Sequence, residues 1–176
     1  MATKYESFES VENANSTLKF FGDDLYRGQT FSPQIEHPLG KISFYMAKTD
    51  GSPTGDIIFD VYLCSGHEPI GLVLATGTLD ASTVLTEPDW YDVPLTGSPT
   101  LAVDSEYLII AHHPDGENTN AVGIKAITTG GYTRGQAQGS NDGGETWLTD
   151  HPYFPNYDCY VKELGPEDFI PKIMIF

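Results

Sequence analysis

Hydrophobic and polar positions alternate with a period of two along much of this chain. In DIIFDVYLC (56–64), Ile57, Phe59, Val61 and Leu63 fall on one face, with Asp60 and Tyr62 on the other. Such a period in β-branched and aromatic residues predicts a half-buried antiparallel strand. GLVLATGTLD (71–80) follows as a second strand, and both runs are entered through Pro/Gly-rich turns. LGKISFYMA (39–47) sets Ile42, Phe44 and Met46 against Ser43, Tyr45 and Ala47. NAVGIKAIT (120–128) turns Val122, Ile124 and Ala126 inward and Lys125 outward. EYLIIAHH (106–113) is apolar on both faces, which predicts a central strand. TLKFF (17–21), LYRGQTF (25–31), DWYDVPL (89–95), TLAVD (100–104) and NYDCYVKEL (156–164) read as further strands. Pro94 suits a strand end or an edge, because proline cannot donate to the ladder.

The segments between these runs are turn chemistry. HPDGENTN (113–120) is a polar loop, and Asn141-Asp142-Gly143 predicts a hairpin turn. No window shows capped helical periodicity. Roughly ten strands at these spacings predict an all-β, two-sheet antiparallel β-sandwich with terminal arms. The expected division is an N-terminal arm with a first strand (1–24), a sandwich (25–164) and an apolar C-terminal arm (165–176).

Composition narrows the function. The 176 residues include 25 acidic and 9 basic ones, a formal net charge of -16. A field of that sign repels phosphate backbones and anionic bilayers, so neither nucleic-acid binding nor membrane insertion is expected. No run approaches the roughly 20 apolar residues of a membrane span. MATKYESFESVENANS (1–16) has no apolar core of a secretory signal. The expectation is a protein made in the cytosol, or carried out of it inside a particle released by lysis. Cys64 and Cys159 are the two cysteines. A disulfide between neighbouring strands and two buried thiols both fit the pattern.

The order GQTF (28–31), GKISFYM, GSPTG, LATGTLDAS, Trp90, EYLIIA and SNDGGETW resembles a widespread jelly-roll module. Such modules occur in phage and viral structural proteins and in bacterial extracellular, sugar-binding-like proteins. The resemblance covers roughly residues 25 to 163 and implies fold more than function. It carries no catalytic residues. In physical terms, Gln29 is expected to satisfy backbone groups near a sheet edge. Trp90 and Trp147 are expected to cap opposite parts of the core.

Candidate chemistry follows from a few clusters. None of the five histidines has HExxH spacing, and no CxxC occurs. His112 and His113 are neighbours in a strand and point to opposite faces, so they could not share one ion. Oxygen donors gather at Asp115, Glu117, Asn118 and Asn120, and again at Asn141, Asp142 and Glu145. Hard cations take such oxygens, so a structural Ca2+ held by Asp115, Glu117, Asn120 and Asp142 is the one cofactor considered. Turn chemistry is the alternative for the same residues. There is neither a G-x-S-x-G elbow nor a Walker A loop, and an enzyme is not expected. An aromatic platform for glycans could come from Trp147, Tyr132, Tyr153 and Tyr157, with Phe154 beside them.

The tail FIPKIMIF concentrates Phe169, Ile170, Ile173, Met174, Ile175 and Phe176. It can return to its own sheet or add to a neighbouring subunit. The function expected is a non-enzymatic structural protein on the surface of a virus or phage particle, made in the host cytoplasm. It would self-assemble through its arms with other copies and other particle proteins. The alternative is a carbohydrate-binding module of a cell-surface or secreted protein.

Overall fold

A computed structural model of the chain describes residues 4–8, 14–128, 132–148, 158–159 and 161–165. In chain order its strands are β1 (Lys4–Phe8), β2 (Ser16–Phe20), β3 (Gly22–Phe31), β4 (His37–Pro38), β5 (Lys41–Lys48), β6 (Asp56–Ser65) and β7 (Glu68–Asp80). They continue as β8 (Asp89–Pro94), β9 (Thr100–Leu101), β10 (Tyr107–His113), β11 (Val122–Ile127), β12 (Ala137–Ser140), β13 (Asp158–Cys159) and β14 (Val161–Leu164). The one helical piece among the described residues is a 3-10 turn at Ala81–Thr83, capped by Asp80, whose carboxylate accepts the Ser82 N–H at 2.8 Å. Strand pairing is antiparallel throughout.

Two sheets pack face to face, the all-β sandwich that the alternation predicts. The five-stranded sheet has the order β12-β3-β10-β6-β7. β10 is central, and it is apolar on both faces for a reason. Tyr107, Ile109 and Ala111 face the other sheet, while Leu108 and Ile110 belong to a small cluster on the outside. The seven-stranded sheet is built around β5. Met46 pairs with both Ile124 and Asp89, so β11 and β8 lie on opposite edges of β5. Phe44 pairs with both Val161 and Tyr91, so β14 also lies opposite β8. β14 and β11 therefore follow one another along the same edge. Ala126 pairs with Ser16 on one side and Cys159 on the other. The segment carrying β13 and β14 thus fills the fork where β5 and β11 part.

β1 pairs with β14 and β2 with β11; β2 is the first strand expected within residues 1–24, and β1 lies in the part expected as an arm. The expected apolar arm beyond Gly165 lies outside the described residues. Among the described residues β8 pairs with β5 alone and ends at Pro94, an edge strand as its proline predicts.

The core sits between the sheets. Ile42, Phe44 and Met46 from one meet Ile57, Phe59, Val61 and Ile109 from the other. The Phe44 and Phe59 rings stack at 5.5 Å across the interface. Gln29 is buried in β3 and joins the layers. Its Oε1 accepts the Cys159 N–H at 2.7 Å, and its Nε2 donates to Asp158 Oδ1 at 3.3 Å. This is the backbone-satisfying role expected of it. Both thiols are free: Cys159 faces the core and donates to the Gly28 carbonyl at 3.2 Å, while Cys64 lies in the outer cluster. Burial pushes the Cys64 thiol up to about 12 and raises Cys159 as well, so both are unreactive at neutral pH.

One strand departs from the expected pattern. Val61 pairs with Ala75 and Leu63 with Ile70, so Gly71, Leu72, Val73 and Leu74 all stand opposite Tyr62 alone. Gly71 starts this wide bulge with φ +78, a left-handed conformation that glycine adopts without strain.

Candidate functional site

Three features of the surface carry chemistry or contact potential. The first is the outer face of the five-stranded sheet. Alternation that buries Phe59, Val61, Ile109 and Ala111 turns Asp60, Tyr62, Leu108, Ile110 and His112 outward. Cross-strand register aligns Thr30, Leu108 and Tyr62 in one row and Gly28, Ile110 and Asp60 in the next. Tyr26, Tyr62 and Trp147 pack over Leu108, Ile110 and Cys64.

Trp147 reaches this face because residues 141–148 fold back over the sheet. The Gly143 N–H donates to the Asp24 carbonyl at 3.0 Å, and the Leu148 N–H to that of Gly139 at 2.9 Å. Asp142 organises the turn: its carboxylate accepts the Ser140 hydroxyl, the Thr146 N–H and the Thr146 hydroxyl. Those bonds, Thr146 first, hold its carboxyl at about 2. Beside the rings, His112 Nε2 lies 3.6 Å from Asp60 Oδ2, and the Tyr26 and His112 ring centroids are 4.5 Å apart. Burial, then Asp60 and Tyr26, pushes Tyr62 up to about 12, so its phenol stays neutral and can both donate and accept. Three aromatic faces beside a carboxylate and an imidazole can stack a flat apolar face and bond its polar edge.

Of the expected glycan residues, Trp147 and Tyr132 lie among the described residues, and they sit in different places. Trp147 is on this face, half-buried. Tyr132 packs against the main core instead, and its N–H donates to Asp158 Oδ2 at 2.9 Å. Tyr153 and Tyr157, with Phe154, lie outside the described residues. Tyr26, Tyr62, Asp60 and His112 join Trp147 although sequence reading did not single them out as a site. The two tryptophans do not cap the core but cover outer faces of opposite sheets. Trp90 packs on Tyr45 at 5.4 Å and takes Lys162 Nζ 3.8 Å from its ring centroid.

The two oxygen-rich loops are engaged in turn chemistry. Asn120 Oδ1 accepts the Ser52 N–H at 2.9 Å, and Glu117 and Asn120 exchange backbone bonds. Lys19 Nζ binds Asn118 Oδ1 at 2.9 Å and Asp50 Oδ2 at 2.6 Å, placing a fixed ammonium in this loop. Asp115 lies against Gly55, where a Cβ would meet its carboxylate at 2.5 Å. In the second loop Asn141 Oδ1 accepts from Arg27 Nη2 at 2.8 Å, and Asp142 is engaged as described. Among the described residues no three His, Cys, Asp or Glu side chains form a group that could hold a metal ion. His112 and His113 point to opposite faces as expected: His113 is buried, with Nε2 2.8 Å from the Thr54 carbonyl.

The second feature is the β7 bulge. Ile70, Leu72, Val73 and Leu74 are exposed there, Leu72 by 86%. Among the described residues β7 is the edge of its sheet, and Thr76 with Thr96 forms the bridge found on its outer side. A shallow cleft of about 340 Å3 follows that edge from Val73 to Thr76 and across to Gly97. The third feature is a polar cleft of about 410 Å3 at one end of the same sheet, lined by Ser32, His67, Asp104, Glu106, Thr133 and Arg134. Its side chains are bonded to one another: Glu106 grips His67, and Arg134 Nη2 donates to Asp104 Oδ1 at 3.1 Å.

No helix among the described residues is long and apolar enough to cross a membrane. The chain matches no protein-family model. No curated protein matches it either.

Proposed function

We propose that this chain is a non-enzymatic structural protein of a virus or phage particle, a capsid decoration, fibre or tail accessory subunit that self-associates. The observation that carries this reading is the apolar ridge Ile70–Leu74 on an edge strand. A contiguous apolar patch on an exposed sheet edge is a liability for a lone chain and a ready contact for another copy. Ridge against ridge about a two-fold axis would bury it on both subunits at once. The apolar tail, Phe169, Ile170, Ile173, Met174, Ile175 and Phe176, would supply a further contact with other copies or other particle proteins. The order of motif words, which resembles jelly-roll modules of phage and viral structural proteins, supports the particle setting. With a net charge of -16, the remaining surface would face solvent on the virion and keep assembled subunits soluble.

Sedimentation velocity on the intact chain and on a chain ending at Leu164 tests this. The intact chain should associate as its concentration rises, and the shortened chain should stay folded but associate less. A shortened chain that assembles like the intact one removes the tail from the account. An intact chain that stays monomeric at every concentration removes the reading.

The outer-face cluster favours a second reading, a carbohydrate-binding module of a cell-surface or secreted protein. Tyr26, Tyr62 and Trp147 would stack the sugar, with Asp60 and His112 bonding its hydroxyls. Strong signals on a glycan array that vanish in Trp147→Ala would promote this reading, and an array without signals would dismiss it.

A further inference from the structure

The cleft along the edge of β7 has two walls. Val73, Leu74, Ala75 and Thr76 form one, and Thr96 and Gly97, just beyond β8, form the other. The walls are tied where Thr76 and Thr96 exchange backbone bonds at 3.2 and 2.8 Å, and the Thr96 hydroxyl donates to the Thr76 carbonyl at 3.0 Å. Gly97 lets the second wall come close, since a Cβ there would meet the Leu74 carbonyl oxygen at 2.8 Å. Among the described residues Leu72, Val73 and Leu74 have no cross-strand partner. The cleft therefore joins edge backbone without a strand partner to exposed apolar side chains, Val73 and Leu74. Such a lining fits an extended apolar segment, which bonds the edge through its backbone and covers the side chains with its own.

The chain carries such a segment outside the described residues: PEDFIPKIMIF, the eleven residues from Pro166 to Phe176. Its last five, Lys172 to Phe176, contain no proline, so each has an N–H to give to a ladder. Ile173, Ile175 and Phe176 are residue types that favour strands. The place where the segment leaves the sandwich is near the cleft. The Gly40 N–H donates to the Leu164 carbonyl at 2.9 Å, and the Gly40 carbonyl accepts the Leu95 N–H at 3.0 Å. Leu164, Lys41 and Pro94 share one row across β14, β5 and β8. The exit after Leu164 is thus two strand spacings, roughly 10 Å, from the chain that runs on into Thr96 and Gly97. Eleven residues reach up to about 36 Å when extended.

We propose that the β7 cleft of one copy receives the C-terminal segment, residues 172–176, of a second copy as an added strand, and that copies exchange their tails in this way. The inference rests on the self-association proposed above and names the partner of the tail. Val73 and Leu74 belong to both the apolar ridge and the cleft, so the two-fold axis of a ridge contact passes close to both clefts. The two tail exits then lie around the same axis, within reach of the partner's cleft. A tail laid in its own cleft would instead cover Val73 and Leu74 before another copy arrived, which self-association through the ridge excludes.

Photo-crosslinking on the full chain tests this, with Phe176 replaced by benzoylphenylalanine and with light and heavy isotope-labelled copies mixed. Where sedimentation velocity shows association, crosslinks should join the tail to residues 73–76 or 96–97, in peptide pairs of mixed label. Ile175→Asp should weaken self-association by about tenfold or more, as loss of one buried isoleucine requires, while its melting temperature stays close to the parent's. If the chain associates but the crosslinks fall outside the cleft, or join only peptides of one label, the tail exchange is overturned and the ridge contact stands. An Ile175→Asp chain that associates like the parent overturns it equally. A full chain that stays monomeric at every concentration overturns the ridge reading, and this inference with it.

Discussion

Replacing Leu72 by aspartate separates association from folding. Leu72 is 86% exposed, so nearly all of its hydrophobic transfer free energy is still available to an interface. Burying a leucine side chain stabilises by about 2 kcal/mol. A two-fold contact buries one from each copy, so about 4 kcal/mol of association rests on this position. Each 1.4 kcal/mol is about tenfold in affinity, so Leu72→Asp should weaken self-association by about a thousandfold. The isolated fold should barely respond, because an exposed substitution changes stability by about 0.5 kcal/mol or less. For a chain of this size that is a shift of about 2 °C in melting temperature. Sedimentation velocity over a concentration series reads the first quantity and circular-dichroism melting the second. Leu85, exposed by 57% away from the ridge, is the control, and Leu85→Asp should associate like the parent. If Leu72→Asp associates as tightly as the parent, or Leu85→Asp weakens association equally, the ridge is not the contact.

Other expectations follow from buried and titrating groups. Gln29→Leu removes the acceptor of the buried Cys159 N–H and a donor to Asp158, and should cost about 3 kcal/mol in denaturant unfolding; a cost below about 1 kcal/mol would mean that Gln29 does not join the layers. Tyr62 is held neutral in the fold, with its pKa raised to about 12. That stabilisation is fully present below the unfolded value of about 10 and is lost as pH rises through about 12. Alkaline absorbance titration should show a late-ionising tyrosine component coinciding with loss of stability, and uniform ionisation in the ordinary range would contradict the packing of Tyr62. Adding Ca2+ should leave the melting temperature where EDTA leaves it, because Lys19 sits in one oxygen-rich loop and Asp142 is engaged in the other; a clear upward shift with Ca2+ would mean that these loops open to bind it.

Much of the sandwich was legible because burial writes itself into alternation. Ile42, Phe44 and Met46 are inward as the pattern requires, and so are Val122, Ile124 and Ala126. The doubly apolar run of β10 marked the centre of a sheet. Partner choice was not legible: in the fork filled by β13 and β14, Cys159 pairs with Ala126 but Val161 pairs with Phe44, more than a hundred positions away. The bulge in β7 left a signal that periodicity alone passed over. Leu72, Val73 and Leu74 are consecutive apolar residues after a glycine, which breaks the alternation of a half-buried strand. Asp142, Asn118 and Asn120 fit a cation site and turn chemistry alike, because the oxygens that bind ions also cap turns. Tyr26, Asp60, His112 and Trp147 are scattered over the chain, and only folding assembles them.

The central claim is that the exposed edge of β7 is where copies of this chain meet. Hydrogen–deuterium exchange read by mass spectrometry at dilute and concentrated conditions addresses it at the residues concerned. The amides of residues 71–74, in the bulge, should exchange freely at low concentration and become protected as the chain associates, while those of β10, already buried, stay unchanged. Association without added protection at 71–74 would contradict the account.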